Sequence, residues 1–258
     1  MQRRTLLGIG AGIVGIGGLT YWQRNNLVRS ALTGRSNDGL QLTAQNLDSN
    51  MCLLTPEQAE GPFFINAPVR HDIREDRTGA RLNLNIKVVR ADGCAPVPGA
   101  IAEIWHCDAA GRYSAYPENL SRSPFETMMF LGDVDGHVEP TNEKRYLRGA
   151  QAADAAGDIS FTTIVPGWYE PRVPHIHVKV FVDGRSYLTT QLYFPDSLTE
   201  PLYTEHPDYA PYGRSPYTHA NDTVLGAYLD AQSLLLQPAP KQDADGPGYR
   251  ADCLLAIA

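Results

Sequence analysis

The chain has 258 residues, 43% hydrophobic and 20% charged, with a formal net charge of −7 and a pI near 5.5. That length is enough for one domain with a full hydrophobic core. The acidic balance, with no run of Lys and Arg longer than two, argues against nucleic acid as a partner and favours small-molecule chemistry.

Residues 1–28 open with the pair Arg3-Arg4 and run into an apolar, glycine-rich stretch from Leu6 to Tyr21. This is the pattern of a twin-arginine export signal. It predicts a periplasmic or extracellular protein that folds before export; left uncleaved, the segment is an N-terminal membrane anchor. The competing reading is a cytosolic protein with an apolar N-terminal helix. Residues 29–50 are polar and aperiodic and read as a linker, so the folded domain is expected over 51–258.

Within that domain Arg81–Val88 alternates polar and apolar residues without a break, which predicts a strand with one face in a core. Turns at Asp92-Gly93 and Pro98-Gly99 lead to a second alternating strand over Ala100–Cys107. Further strands are predicted over Asp158–Ile164, His175–Val182, Tyr187–Phe194 and Tyr249–Ala258, with Asp183-Gly184-Arg185-Ser186 as a hairpin connection. A helix is predicted over Val224–Leu235, started by Asn221 or Asp222. The expected fold is all-β: an antiparallel β-sandwich with long functional loops, over 108–157 and 195–222, and little helix.

Four cysteines, Cys52, Cys94, Cys107 and Cys253, are an even number in a chain read as exported, so disulfides are chemically permitted. Cys94 precedes the Ala95–Gly99 turn and Cys107 ends the next strand, while Cys52 and Cys253 lie at the two ends of the domain. The expected pairs are Cys94 with Cys107 and Cys52 with Cys253, against an alternative of four buried free thiols.

The stretch Tyr169-Glu170-Pro171-Arg172-Val173-Pro174-His175-Ile176-His177 is the densest in chemistry. On a strand, residues two apart share a face, so His175 and His177 stand side by side while Ile176, Val178, Val180 and Val182 fill the opposite face. Paired imidazoles suit a transition metal, and equally a hydrogen-bonded strand wall. Tyr169 follows a Pro166-Gly167 turn, where a side chain can be re-aimed into a site.

Taken in order, Gly61-Pro62-Phe63-Phe64, Cys94 to Ala100, Trp105 to Ser114, Arg148-Gly149-Ala150-Gln151 and the Tyr169–His177 stretch resemble the intradiol ring-cleavage dioxygenase family, of the protocatechuate and catechol dioxygenase type. The resemblance spans residues 52–194. It implies a non-haem Fe(III) held by Tyr113, Tyr169, His175 and His177, with a small aromatic diol and O2 as reactants. It further implies that Arg172 stabilises charge developing on the ring, that Gln191 holds the plane of Arg172, and that Pro62 and Trp168 line the substrate pocket. Tyr113 enters through the resemblance alone.

Two phenolates and two neutral imidazoles would offset two of the three charges on Fe(III), and a hydroxide the third, giving a neutral centre suited to a low-dielectric pocket. A two-His-one-carboxylate ferrous site is disfavoured, because no Asp or Glu lies within the His175–His177 stretch. The rival readings are a metal hydrolase built on His175 and His177 and a noncatalytic β-sandwich binding module. The segment between Tyr169 and His175 is short for the family, which alters the pocket's shape.

Overall fold

The computed structural model describes residues 52–116, 137–222, 224–225 and 231–258. The leader over 1–28, the linker over 29–50 and the middle of the helix expected over Val224–Leu235 lie outside them. The described end of that helix, Ala231–Leu234, is a single 3-10 turn.

Alternating sequence becomes strand where predicted: β1 (Arg81–Arg90), β2 (Ile101–Trp105), β4 (Asp158–Ile164), β5 (His175–Val182), β6 (Arg185–Tyr193) and β8 (Gly246–Ile257). Among the described residues, β3 (Arg148–Ala152), β7 (Ala239–Asp243), the helix α1 (Asp196–Glu205) and a 3-10 turn over Ala210–Tyr212 appear that the pattern does not announce.

The strands form two four-stranded sheets, ordered β4-β1-β8-β7 and β3-β2-β5-β6. Between them lie Leu82, Leu84, Ile86 and Val88 of β1, Ile159 and Phe161 of β4, Ala102 and Ile104 of β2, and Ile176, Val178 and Val180 of β5, all in one buried cluster. This is the sandwich of the sequence reading, with one departure: β1 and β8 run parallel, from Leu82 beside Tyr249 to Arg90 beside Ile257. A tight hairpin forces antiparallel pairing, whereas β8 reaches β1 only after a connection through the other sheet, which permits either direction.

The expected cysteine pairs do not form. Cys52 is bonded to Cys94 with their Cα atoms 5.3 Å apart, and Cys107 and Cys253 are free thiols. The reason is local: the Cys52 N–H donates to the Ala91 carbonyl at 3.1 Å, which lays residue 52 against the end of β1 beside the turn that carries Cys94. Cys107 instead points its Sγ toward the Gly167 carbonyl at 3.4 Å, and Cys253 pairs along β8 with Ile86 of β1.

Candidate metal centre

Because side chains alternate along a strand, the residues of sheet two that do not enter the core share its other face. Register then decides which of them meet. Trp105 of β2 lies opposite His177 of β5, His177 opposite Gln191 of β6, and His175 opposite Tyr193. This outer face is covered by segments 56–65, 106–116 and 165–173, which bury Phe63, Cys107, Tyr113, Tyr116 and Tyr169 against Trp105 as a second apolar layer. The imidazoles are therefore inside the protein, yet outside the sandwich core.

Four donor atoms converge there. The His175 Nε2 lies 3.0 Å from the Tyr169 Oη, 3.4 Å from the Tyr113 Oη and 3.1 Å from the His177 Nε2. The Tyr113 Oη lies 3.2 Å from that of Tyr169 and 3.1 Å from the His177 Nε2. All four residues are buried, at 5% exposure or less. First-row metal ions bind such atoms at about 2 Å, which sets neighbouring ligands about 3 Å apart.

Proton counting points the same way. The His175 Nδ1 lies 2.7 Å from the Val173 carbonyl, which can only accept, so the neutral ring carries its proton there and turns a bare Nε2 lone pair to the centre. At most three protons, two phenolic and one on His177, remain for the five contacts among these four atoms. A shared cation would satisfy lone pairs that the protons leave facing one another.

Electrostatics fits neutral imidazoles and cation-dependent phenolates. Burial, reinforced by Arg172, holds both histidines well below their ordinary pKa. Burial likewise pushes the Tyr113 and Tyr169 phenols up, with Arg172 opposing the rise, so ionising them requires a strong local positive charge. Among the described residues no three His, Cys, Asp or Glu side chains are grouped to hold a metal.

Two of the ligand candidates, His177 and Tyr113, are held from behind. The His177 ring stacks on Trp105, with centroids 4.8 Å apart and planes 4° from parallel. Gly61 passes close over it, and a Cβ at Gly61 would come within 3.3 Å of the His177 Cε1. Phe63 lies against Tyr113 at 4.8 Å.

Arg172 lies outside the strand alternation, since β5 begins only at His175. The Glu170-Pro171 peptide is cis, and the Arg172 N–H donates back to the Tyr169 carbonyl at 2.6 Å, folding 169–172 into a turn. The guanidinium then reaches the outer face of β6 and donates from Nη2 to the Gln191 Oε1 at 2.6 Å and toward the Tyr193 Oη at 3.3 Å. The Gln191 Nε2 donates to the Ala59 carbonyl at 2.7 Å, so its two neighbours fix which way the amide faces.

The other two expected site residues sit further out. Pro62, between Gly61 and Phe63, is buried and accepts from the Val138 N–H at 3.0 Å. Trp168 packs near Tyr217, with ring centroids 6.1 Å apart, and donates from Nε1 to the Gly213 carbonyl at 2.9 Å. Sequence reasoning passed over Trp105 and Tyr193, although the alternation that paired the histidines places both on the same face. It also passed over Gln58, whose Oε1 accepts from the Tyr193 hydroxyl at 2.6 Å, and Asp222, for which it saw only a helix start.

The family model described as Dioxygenase matches residues 56–204. Among curated relatives, the protocatechuate 3,4-dioxygenase beta chain of Burkholderia cepacia is 32% identical over 159 residues, covering 55% of this chain and 60% of its own. A catechol 1,2-dioxygenase of Pseudomonas sp. is 28% identical over 149 residues, covering 54% and 46%. The chain thus spans about half the length of the curated relatives it matches. Among solved structures, an intradiol ring-cleavage dioxygenase from Tetranychus urticae superposes with a TM-score of 0.69 at 28% identity, over 80% of this chain and 95% of its own.

Proposed function

Since the chain belongs to the intradiol ring-cleavage dioxygenase family, we propose that it is a non-haem ferric enzyme that opens an ortho-diphenol between its two hydroxylated carbons. Both atoms of O2 enter the product, a cis,cis-muconate-type diacid. The reading is carried by one observation, the convergence of two phenolic oxygens and two imidazole nitrogens within 3.0–3.4 Å of their neighbours on a buried sheet face.

Tyr113, Tyr169, His175 and His177 would hold the ion. Bound ferric iron supplies Lewis acidity that favours the ionised diol and activates it toward O2. The residues do the rest. Tyr113, on the loop after β2, would yield its place to the diol and take one of its protons at Oη, as the family resemblance implies. Tyr169 is braced by its own carbonyl, which accepts from Arg172. The Arg172 guanidinium offers fixed positive charge to the ring as negative charge develops there, with Gln191 holding it in plane. Pro62 and Trp168 are assigned to the wall of the pocket.

The test is O2 consumption by the iron-loaded protein across a panel of catechols, with mass analysis of the product. One O2 consumed per ring and two labelled oxygens in the diacid are expected. Tyr169→Phe should remove turnover and weaken the visible tyrosinate-to-iron absorption, which Tyr113 alone would then supply. An extradiol semialdehyde, or no O2 uptake with any catechol, would overturn the reading.

We read the enzyme as exported. The Arg3-Arg4 leader pattern supports this, as does the Cys52–Cys94 bond, because disulfides persist mainly in oxidising compartments. Cell fractionation should find the protein outside the cytoplasm; a cytoplasmic form with four reduced thiols would overturn this.

A further inference from the structure

Arg172 and Asp222 are 50 residues apart in sequence and form a buried ion pair. The Arg172 Nε–H is shared between the carboxylate oxygens of Asp222, at 3.2 and 3.0 Å. The remaining acceptor capacity of Asp222 is taken by backbone: the Val173 N–H at 2.8 Å on Oδ2, and those of Val224 and Leu225 at 2.9 and 2.6 Å on Oδ1. The Asp222 side chain is fully buried and that of Arg172 is 8% exposed. Burying such a pair carries a desolvation penalty that good geometry and filled lone pairs offset, and its best-attested use is to specify one arrangement.

From this geometry we infer that Asp222 is the positioning residue of Arg172, the group that sets how the guanidinium is presented to the ring of a bound ortho-diphenol. The inference rests on the dioxygenase reading above. A planar guanidinium held at one nitrogen can swing about that bond, whereas held at two it has one orientation. Asp222 pins Nε and Gln191 pins Nη2. The hydrogen bonds of the described residues leave Nη1 for the substrate. Because Asp222 also receives the Val173 N–H, it ties the backbone that enters β5 to the same anchor.

Asp222→Asn tests this, since it keeps the shape and one acceptor for Val224 and Leu225 but removes the charge and an acceptor from the pair. In the iron-loaded full chain, kcat for catechol should fall about 10- to 100-fold, with KM, iron content and visible absorption close to wild type. A crystal structure of the variant should show the guanidinium displaced from Gln191. In an Arg172→Gln background, adding Asp222→Asn should change kcat by no more than about twofold, because the two act as a unit.

If the Asn variant does not fold, Asp222→Glu is read in the same way, since it keeps the charge but moves the carboxylate by one methylene. Unimpaired kcat, an undisplaced Arg172, or losses that multiply in the double variant would overturn the assignment of Asp222. A wild-type protein that holds iron yet consumes no O2 with any ortho-diphenol overturns the dioxygenase reading instead, and the crystal structure of the variant still reads the placement of Arg172.

Discussion

His106 is a fully buried imidazole whose two nitrogens are both engaged, with Nδ1 2.8 Å from the Cys107 carbonyl and Nε2 2.7 Å from the Thr163 hydroxyl. The carbonyl can only accept, so Nδ1 carries the proton and Nε2 accepts from Thr163. Burial lowers its pKa from 6.5 to about 4. Between those values the unfolded chain binds a proton that the folded one refuses. The stabilisation is therefore complete above pH 6.5 and is lost as pH falls toward 4, by up to about 3 kcal/mol. Urea melts at pH 7 and pH 4.5 should show that loss, and His106→Gln should flatten the dependence; equal slopes for the two proteins would refute it. At this scale the imidazole pair was legible, because alternation alone places His175 beside His177. The partnership of Arg172 with Asp222 was not, since no local pattern signals a contact across 50 residues.

Loops rather than strands deliver half of the candidate ligands. Tyr113 depends on the turn at Gly111, whose φ of +77° lies in the left-handed region and where a Cβ would stand 2.3 Å from the Trp168 carbonyl oxygen. Gly111→Ala should destabilise the protein by about 1–3 kcal/mol and weaken the visible absorption of the iron-loaded form, as read by urea melts and spectra of one preparation. The cysteine arrangement is equally direct to test. Alkylation of the unfolded, unreduced domain should label Cys107 and Cys253 and leave Cys52 and Cys94 joined; any other pattern contradicts the structure. The strand bounds of β4 and β5 coincide with the alternation in the sequence. By contrast β3 is Arg-Gly-Ala-Gln-Ala, without β-branched residues, and α1 follows Pro195 and contains Pro201. Weak strand propensity and helix-breaking residues hid both, and pairing with β2 organises the former.

For the molecule as a whole, stability and chemistry reside in different layers. Leu84 is fully buried between the sheets, so Leu84→Ala should cost about 2–5 kcal/mol. The donor cluster lies on the far side of sheet two, and KM for the diol should therefore stay at its wild-type value. A large shift in KM with intact folding would show that the layers are mechanically coupled.

β5 belongs to both layers at once, with Ile176, Val178 and Val180 on one side and His175 and His177 on the other. A one-position slip of that strand against its neighbours would drive the imidazoles into the apolar core and turn the aliphatic side chains outward. Such a chain would lose the sandwich itself. Folding thus acts as an error check on the candidate metal centre: a molecule that completes its core has already presented both imidazoles to the same side.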